Sequence, residues 1–580
     1  MKKKYFLLLL VLFLNVFFPL KSFAFTKIAD FVFGGMSVSV EELDQLGTTI
    51  QENKKANKKI KDPRKKLPIK IEVVEARQAN PTNIQLEIDT SEVLLKSQKD
   101  VQLPISNIGF LNAIQEALQL FESIDIANIK FAPLKFTSTK IDTEDGKNTI
   151  TFRPIETPPE GVSGRAAVFT IVNFARGENV TFMNQNIMVK PGTILDADVI
   201  FDPQNDPCLA YIITSGDFKI GGDDNAMIIE GGADSNELQF GTCKKDLSVA
   251  DITDFAVRGI SRVLGLETSA IFTAATSRVP LGMVRYKFTN DDRIGFANLY
   301  PNPIALENSG AITGKVLVND KPIIGAHIVL EDVTTGEPIA GTLTDFKGEF
   351  EMKAIPEGTY TVYAESLDGR VRPSDFSFNS FGQLGGANFT TAVFPEPVTI
   401  TAKKTTHIQN VFKDHPGSAF NINTQVIAPL LTENDAITGG LGVTPLPLKI
   451  RPGETISNVK FWGDNITTNF GTLSISGTGI TVSNVMDAQV PISPFIECAE
   501  CKDPTDPNAA PCRRSPLCAP TEELITQADQ IPGITADITC DAGVSPGPRT
   551  IIFTGDKLDS SHPSFGLRDQ LTGSIIVQEE

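Results

Sequence analysis

The chain has 580 residues and a formal net charge of −18, with 41% hydrophobic and 21% charged residues. A length of this size predicts about three to four domains. The acidic balance argues against nucleic acid as a partner, because phosphate binding needs a basic surface.

The first 24 residues have the pattern of a secretory signal peptide. Lys2, Lys3 and Lys4 precede an apolar run, and Ser22-Phe23-Ala24 forms a small-x-small cleavage site. The alternative is a membrane anchor, but the apolar run is short and Lys21 follows it directly. We therefore expect an exported chain with no integral membrane segment after cleavage, in an extracellular, periplasmic or cell-surface location.

Residues 25–66 are predicted to form a polar linker that becomes basic towards its end. Lys54 to Lys66 contains eight Lys or Arg residues and one acid, Asp62. Such a run is typical of a solvated linker, and contact with an anionic surface is the alternative interpretation.

Strand and helix patterns alternate over residues 67–302. Alternating apolar and polar residues predict strands at 69–74, 84–88, 148–152 and 196–201. Residues 106–124 predict a helix, because their apolar residues recur at helical spacing. A second helix is predicted to start near Ser248, which forms a capping-box pattern with Asp251. This order predicts an α+β domain.

Five segments of this region resemble the catalytic domain of matrixins, a group of metzincin-type zinc proteases, and they occur in the matrixin order. They are LNAIQEALQLFESI at 111–124, DGKNTITF at 145–152, GTILDADVIFDP at 192–203, DLSVADITDFAVRGISRVLGLETS at 246–269 and FTNDDRIGFANLYP at 288–301. The resemblance implies a metzincin-like fold for residues 67–302, with the segment 246–269 in the place of the active-site helix.

The zinc-binding helix of matrixins carries His-Glu-x-x-His-x-x-Gly-x-x-His. Aligned on Gly265, the three ligand positions fall on Arg258, Arg262 and Thr268, and the general-base position falls on Gly259. A guanidinium group has no lone pair to offer a metal ion, and glycine has no side chain to accept a proton. We therefore expect no catalytic residue and no metal at these positions, and a domain that is not an enzyme.

The two arginines permit two interpretations. Asp254 precedes Arg258 by four residues, so the two side chains can form a helical ion pair of about 0.3–0.5 kcal/mol. Alternatively, Arg258 and Arg262 line a basic groove suited to an anionic ligand.

Short alternating strands separated by turn residues fill residues 309–580, and this pattern predicts two antiparallel β-sandwiches. Residues 309–412 resemble the carboxypeptidase regulatory-like module, which implies a spacer unit. Residues 413–580 resemble bacterial immunoglobulin-like modules, with a cysteine-rich insertion at 497–519. The segments that carry these two resemblances include TDFKGEF at 344–350, IPEGTYTV at 355–362, SISGTGITVS at 474–483 and GVSPGPRTIIFTG at 543–555.

Seven cysteines in an exported chain favour disulfides. Cys208 and Cys243 stand apart from the rest, so we expect them to pair. The other five are an odd number, so one of them is free or pairs between chains; they are Cys498, Cys501, Cys512, Cys518 and Cys540. A zinc knuckle built from the first four of these is the alternative to disulfides.

No cofactor is predicted. Calcium is a minor alternative, because calcium takes oxygen ligands and one glycine-rich loop is acidic. The acidic residues of that loop are Asp223, Asp224, Glu230, Asp234 and Glu237. A solvated loop is the other interpretation.

The main functional hypothesis is an exported, multidomain binding or scaffold protein whose matrixin-like domain has lost its zinc ligands and general base, with an unknown protein or cell-surface ligand as partner. A zinc-dependent endopeptidase with relocated ligands is one alternative. A cell-surface or carbohydrate-binding protein that acts through its C-terminal β-sandwiches is another, with Trp462 as the tryptophan available for stacking on sugars.

Overall fold

The computed structural model describes residues 29–33, 36–37, 71–75, 77–89, 107–137, 145–152, 168–175, 178–201, 209–212, 248–277, 287–318, 321–323, 325–345, 348–367, 391–408, 448–462, 466–491, 530–558, 560–561, 566 and 568–579. The signal-peptide prediction for 1–24 and the basic run at 54–66 lie outside these residues. Within them, no helix is long and apolar enough to cross a lipid bilayer.

The strands up to residue 251 are β1 (Ala29–Phe33), β2 (Met36–Ser37), β3 (Ile71–Glu75), β4 (Glu87–Asp89), β5 (Lys135–Thr137), β6 (Asn148–Phe152), β7 (Val168–Phe174), β8 (Asn179–Phe182), β9 (Gln185–Met188), β10 (Ile194–Phe201), β11 (Leu209–Ile212) and β12 (Ser248–Asp251). The helices are α1 (Asn107–Glu122), α2 (Ile252–Val263) and α3 (Asn290–Leu299). A short 3-10 helix follows at Ala305–Asn308.

The largest sheet of this N-terminal part has the order β5–β4–β6–β10–β7. Strand β6 pairs in parallel with β4 and β10, β5 pairs in parallel with β4, and β7 pairs antiparallel to β10 at one edge. Helix α2 packs against α1 and against β7 and β10. Strands β1 and β2 join β3 in a separate three-stranded sheet.

Helix α1 confirms the helix predicted for 106–124, and its apolar residues Phe110, Ile114, Ala117 and Phe121 are buried. Helix α2 begins at Ile252 and not at Ser248. The capping-box prediction was wrong because Ser248–Asp251 pairs in parallel with β11, and this tertiary pairing outweighs the local helix-start signal.

The first C-terminal sandwich consists of the strands β13 (Ser309–Lys315), β14 (Leu317–Val318), β15 (Lys321–Pro322), β16 (His327–Asp332), β17 (Pro338–Leu343), β18 (Glu349–Pro356), β19 (Gly358–Glu365), β20 (Ala392–Val393), β21 (Val398–Ile400) and β22 (Thr405–His407). Its two main sheets have the orders β18–β13–β22 and β17–β16–β19–β20, with β21 also paired to β19.

The second sandwich consists of the strands β23 (Leu448–Ile450), β24 (Thr455–Trp462), β25 (Thr472–Ile475), β26 (Ile480–Pro491), β27 (Gln530–Cys540), β28 (Gly547–Thr554) and β29 (Arg568–Val577). Its sheets have the orders β23–β29–β28–β25 and β24–β27–β26, and both contribute to one apolar core. The predicted β-sandwiches are therefore confirmed as a fold class. Each has mostly antiparallel sheets but also contains one parallel pair, β13–β22 in the first and β23–β29 in the second.

The described chain is mostly β-sheet, with 49% strand and 14% helix. The prediction of an α+β, metzincin-like class for residues 67–302 is not supported. One physical reason for the error is that short strands carry a weak sequence signal: β8 and β9 have four residues each, and their side chains are exposed or half-buried.

Buried apolar side chains on both sides of residue 302 belong to one cluster. One continuous core runs from Ile84 to Ile408 and joins the helices to the first sandwich. A second core fills the C-terminal sandwich between Leu448 and Val577. Helix α3 contributes to this continuity, because it packs against β17 and β18.

Candidate functional site

Three parts of the chain meet around a group of polar side chains that we call the junction, all of them buried except the half-buried Arg568. It comprises Asp291 of the N-terminal part, His327, Glu331, Tyr363 and Glu365 of the first sandwich, and Arg568, Gln570 and Thr572 of the second. The junction is the candidate functional site, since buried ionisable groups are rare unless they are paired.

Strand alternation places the junction residues of the first sandwich. In β16, His327, Val329 and Glu331 share one face, and Ile328 and Leu330 point into the core of the sandwich. His327 lies directly opposite Glu365 of β19 in the antiparallel register. Side chains at such paired positions are close neighbours, and His327 Nδ1 lies 2.6 Å from Glu365 Oε1.

Strand β29 provides the contacts from the second sandwich. Gln570 Nε2 donates a hydrogen bond to Glu365 Oε2 over 3.0 Å, and Thr572 Oγ1 lies 2.9 Å from both oxygens of that carboxylate. The Tyr363 hydroxyl lies 3.1 Å from Thr572 Oγ1. The carbonyl of Thr572 also accepts a hydrogen bond from the backbone N–H of Phe272 in the N-terminal part. Thr572 therefore joins all three parts.

Asp291 connects the N-terminal part to the first sandwich. Its Oδ2 accepts a hydrogen bond from Ser269 Oγ over 2.6 Å, and its Oδ1 accepts one from the backbone N–H of Gly341 in β17 over 2.7 Å. Burial raises the pKa of Asp291 to about 7, and the adjacent charge of Asp292 adds to the rise.

Glu331 and Arg568 face each other across the two sandwiches. Burial raises the pKa of Glu331 to about 7, and the charge of Arg568 opposes this rise. The Arg568 guanidinium lies 5.4 Å from the centre of the Tyr363 ring, within the range of a cation–π contact. The carboxyl groups of Glu331 and Glu365 thus lie near the Tyr363 ring, and the Arg568 guanidinium lies near both Glu331 and that ring.

The two sandwiches also touch through their backbones. Gly336 and Gly477 have φ values of +72° and +85°, and a β-carbon at Gly477 would lie 1.9 Å from the carbonyl oxygen of Thr335. Ser476 Oγ donates a hydrogen bond to the carbonyl of Gly336 over 2.6 Å. The contact is possible only because neither residue has a side chain.

A small pocket, with room for about one water molecule, lies beside the junction. Its lining includes Glu267, Thr268, Ser269, Asp291 and His327. One of the positions aligned with the zinc motif, Thr268, therefore lies near the junction, in a setting that the motif alignment did not predict.

The other zinc-motif positions point in different directions. Arg258 forms a salt bridge with Asp254, as one of the two interpretations expected, and its guanidinium lies 5.0 Å from the centre of the Phe255 ring. Arg262 Nη2 lies 2.8 Å from Glu267 Oε1 and 3.2 Å from Thr268 Oγ1. The side chains of Asp254 and Glu267 are each only 2% exposed, so both arginines face buried carboxylates. This pairing does not favour a basic groove for an anionic ligand.

Gly259 faces the central sheet, where a β-carbon would lie 2.5 Å from Val199 Cγ1. We expect Gly259→Ala to destabilise the protein by roughly 1–3 kcal/mol through overpacking, although alanine favours a helix by about 1 kcal/mol over glycine. Urea unfolding checks this. The double variant with Gly259→Ala and Val199→Ala should lose less free energy of unfolding than the sum of the two single variants. An additive loss would contradict the predicted contact.

Sequence reasoning missed the buried carboxyl pair Asp196 and Asp198. Both lie on one face of β10, and both are 0% exposed. Asp196 accepts a hydrogen bond from the backbone N–H of Gly146, and Asp198 accepts one from that of Thr149. Burial raises the pKa of Asp196 to about 6 and that of Asp198 to about 8. The Asp-x-Asp spacing in a predicted strand was the available signal.

Several predicted site residues cannot be compared with the structure. The cysteines other than Cys540 and the acidic loop from Asp223 to Glu237 lie outside the described residues. Cys540 is buried, and it forms no disulfide with any described residue. In the described part of the chain, no group of three or more His, Cys, Asp and Glu side chains could hold a metal ion.

Comparisons with known proteins return no matching family model and no matching curated protein. Solved structures that align include the minor pilin GBS52 of Streptococcus agalactiae, at 14% identity over 20% of this chain and 49% of that one, with a TM-score of 0.12. The full-length major pilin SpaD of Corynebacterium diphtheriae aligns at 9% identity over 46% of this chain and 64% of that one, with a TM-score of 0.14. A DUF3823 family protein from Parabacteroides merdae aligns at 11% identity over 47% and 98%, with a TM-score of 0.12.

These alignments span only about half of the minor pilin and less than two thirds of the major pilin. TM-scores this low establish neither a shared fold for the whole chain nor a shared function. These structures are pilins and a DUF3823 family protein, and none of them is a matrixin or another metzincin.

The identification of residues 67–302 as a matrixin-type metallopeptidase domain, and with it the description as a pseudoprotease, is therefore wrong. The physical reason lies in the alignment on Gly265. Its φ of +88° and its place just after α2 are those of a general helix C-terminus, where glycine is common in any fold. Buried leucines on either side, Leu264 and Leu266, are equally general.

The resemblances proposed for residues 309–412 and 413–580 are also not supported by a matching family model. Of those two predictions, the β-sandwich fold class is what the structure supports.

Proposed function

We propose that the protein is a surface or scaffold protein whose three parts form one rigid body. The observation that carries the proposal is the junction, where Thr572 and Glu365 join the parts through buried hydrogen bonds. Domains linked only by flexible segments move relative to one another by default. A buried, hydrogen-bonded contact between them fixes their geometry, which is what a scaffold needs to hold binding surfaces at set distances.

Export to the cell surface is part of the proposal. Its support is the signal-peptide pattern of residues 1–24 and the acidic composition, which suits an exposed chain that must stay in solution. The ligand is proposed to be a protein or a cell-surface component, contacted through the sandwiches at 309–580. Carbohydrate is the second candidate ligand.

Labelling intact cells that make the protein with a membrane-impermeant biotin reagent tests the location. We expect the full-length chain to be labelled on intact cells to the same extent as after lysis. Recovery of unlabelled protein from the cytosol alone would contradict export. Chelator-sensitive cleavage of casein by the purified full chain would contradict a scaffold role.

A further inference from the structure

Acidic groups outnumber basic ones at the junction, as far as the described residues show. The groups that act on one another there come from α3, β16, the turn before β17, β19, β28 and β29. The acids are Asp291, Asp292, Glu331, Asp332, Glu337 and Glu365, and the bases are His327, Arg549 and Arg568.

Two of these acids lie where different parts of the chain touch. Asp291 of α3 accepts a hydrogen bond from the backbone N–H of Gly341 in β17. His327 of β16 lies close enough to Asp291 for an electrostatic interaction. Glu331 of β16 faces Arg568 of β29 and the carboxyl group of Glu365, and the hydroxyls of Thr550 and Ser476 lie near it. Glu331 Oε2 and Arg568 Nη2 are both buried, and neither has a hydrogen-bond partner among the described residues.

Ionisation of Asp291 and Glu331 therefore adds two negative charges to a buried contact that already contains the carboxyl groups of Glu365 and Asp292. A buried carboxylate costs free energy unless enough donors and cations surround it. Arg568 and Arg549 compensate Glu331 and Glu337 in part. Within the described part of the chain, two donors form hydrogen bonds to Asp291, Ser269 Oγ and the N–H of Gly341, and His327 lies close to it.

The direction of the pH effect follows from linkage. A carboxyl group that holds its proton more tightly in the closed contact than in water favours the closed contact when it is protonated. That contribution is complete in acid and is lost progressively as the pH rises from about 4 towards the folded-state pKa, which is about 7 for Asp291 and for Glu331. Above that pH the closed contact bears the full cost of two buried charges.

We propose that the junction is a pH-sensitive coupling, which holds the three parts of the chain together most tightly in mildly acidic solution and loosens as the pH rises through neutrality. This coupling is a property of the junction and does not require that the protein be displayed on a surface.

Hydrogen–deuterium exchange of the full-length protein at pH 5.5 and pH 8.5 tests the proposal. The informative sites are the N–H groups of Gly341 and Phe272, which donate across the junction. After correction for the intrinsic pH dependence of exchange, linkage predicts that opening becomes about 30-fold more frequent for each of the two carboxyl groups that opening exposes to water. Exchange in α1, which is far from these contacts in sequence, serves as the internal reference.

Two near-isosteric variants assign the effect. Asp291→Asn keeps an acceptor for the Gly341 N–H and a donor for Ser269 Oγ, and it should remove about 30-fold of the pH response. Glu331→Gln should remove a similar factor independently, so the test survives if one variant fails to fold. Asp125→Asn, in an exposed ion pair with Arg293, should leave the response unchanged.

A wild-type response below about threefold would overturn the proposal, as would an equal response in wild type and both junction variants. A junction that stays closed at every pH would contradict this coupling and still agree with a rigid scaffold. A junction that is open at every pH would contradict the scaffold as well.

Discussion

Replacing Gly477 by alanine is expected to destabilise the contact between the two sandwiches by roughly 3–5 kcal/mol. The new β-carbon would lie 1.9 Å from the carbonyl oxygen of Thr335. The atoms it meets belong to the backbone, so no side-chain rotation can relieve the clash. The φ of +85° at Gly477 adds the strain of a left-handed conformation. Urea unfolding, with the free energy extrapolated to water, measures the loss.

A matched control separates these two causes. Gly566 also has a left-handed φ, +73°, but no described atom lies within 4 Å of its β-carbon position. Gly566→Ala should therefore cost only the conformational strain, about 1–2 kcal/mol. Equal losses in Gly477→Ala and Gly566→Ala would show that the close crossing at Gly477 does not exist in solution.

Asp292→Ala is the second substitution with a large expected effect, a loss of roughly 3–5 kcal/mol. Asp292 is buried, and its carboxylate accepts hydrogen bonds from the backbone N–H groups of Ala275, Thr276 and Thr289. It also completes the capping box of α3 with Thr289. Removing the carboxylate leaves several buried donors without partners, and each one carries a desolvation cost. Thermal and urea unfolding of the full chain measure the effect.

Asp125→Ala is the comparison for this prediction. Asp125 pairs with Arg293 on the surface, where its side chain is 69% exposed, so its removal should cost only about 0–1 kcal/mol. An equally small loss for Asp292→Ala and Asp125→Ala would contradict the claim that the buried hydrogen bonds of Asp292 stabilise the fold.

Local sequence patterns predicted the elements that depend on apolar periodicity. Helix α1 follows its predicted range closely, and β6 spans the residues predicted for it, 148–152. The alternation in 309–580 predicted antiparallel sandwiches. In α1 and in the strands of the sandwiches, the apolar side chains that define the period are buried, so the pattern and the packing carry the same information.

The start of α2 could not be predicted from local signals. Ser248 and Asp251 form a helix-start pattern, yet they lie in β12, because β11 offers a parallel partner. The junction could not be predicted from local sequence patterns either. His327, Asp291 and Thr572 are far apart in sequence, and only the packing of the three parts brings them into one network.

The zinc-motif alignment failed for a related reason. It treated Arg258, Gly259 and Arg262 as a set that converges on one site. In the structure, Gly259 packs on Val199 of the sheet and each arginine pairs with its own carboxylate. Helix amphipathicity and a C-terminal glycine predict that a helix is buried and where it ends, and they say little about function.

The central claim is that the junction makes the three parts of the chain unfold as one unit, and urea denaturation followed by two probes tests it most directly. Trp462 is the single tryptophan and lies in β24, so its fluorescence reports the second sandwich, whereas far-ultraviolet ellipticity reports the backbone of all three parts, the helices α1 to α3 included. We predict coincident transitions in the wild type and separated transitions in Gly477→Ala. Separate transitions in the wild type itself would contradict the claim.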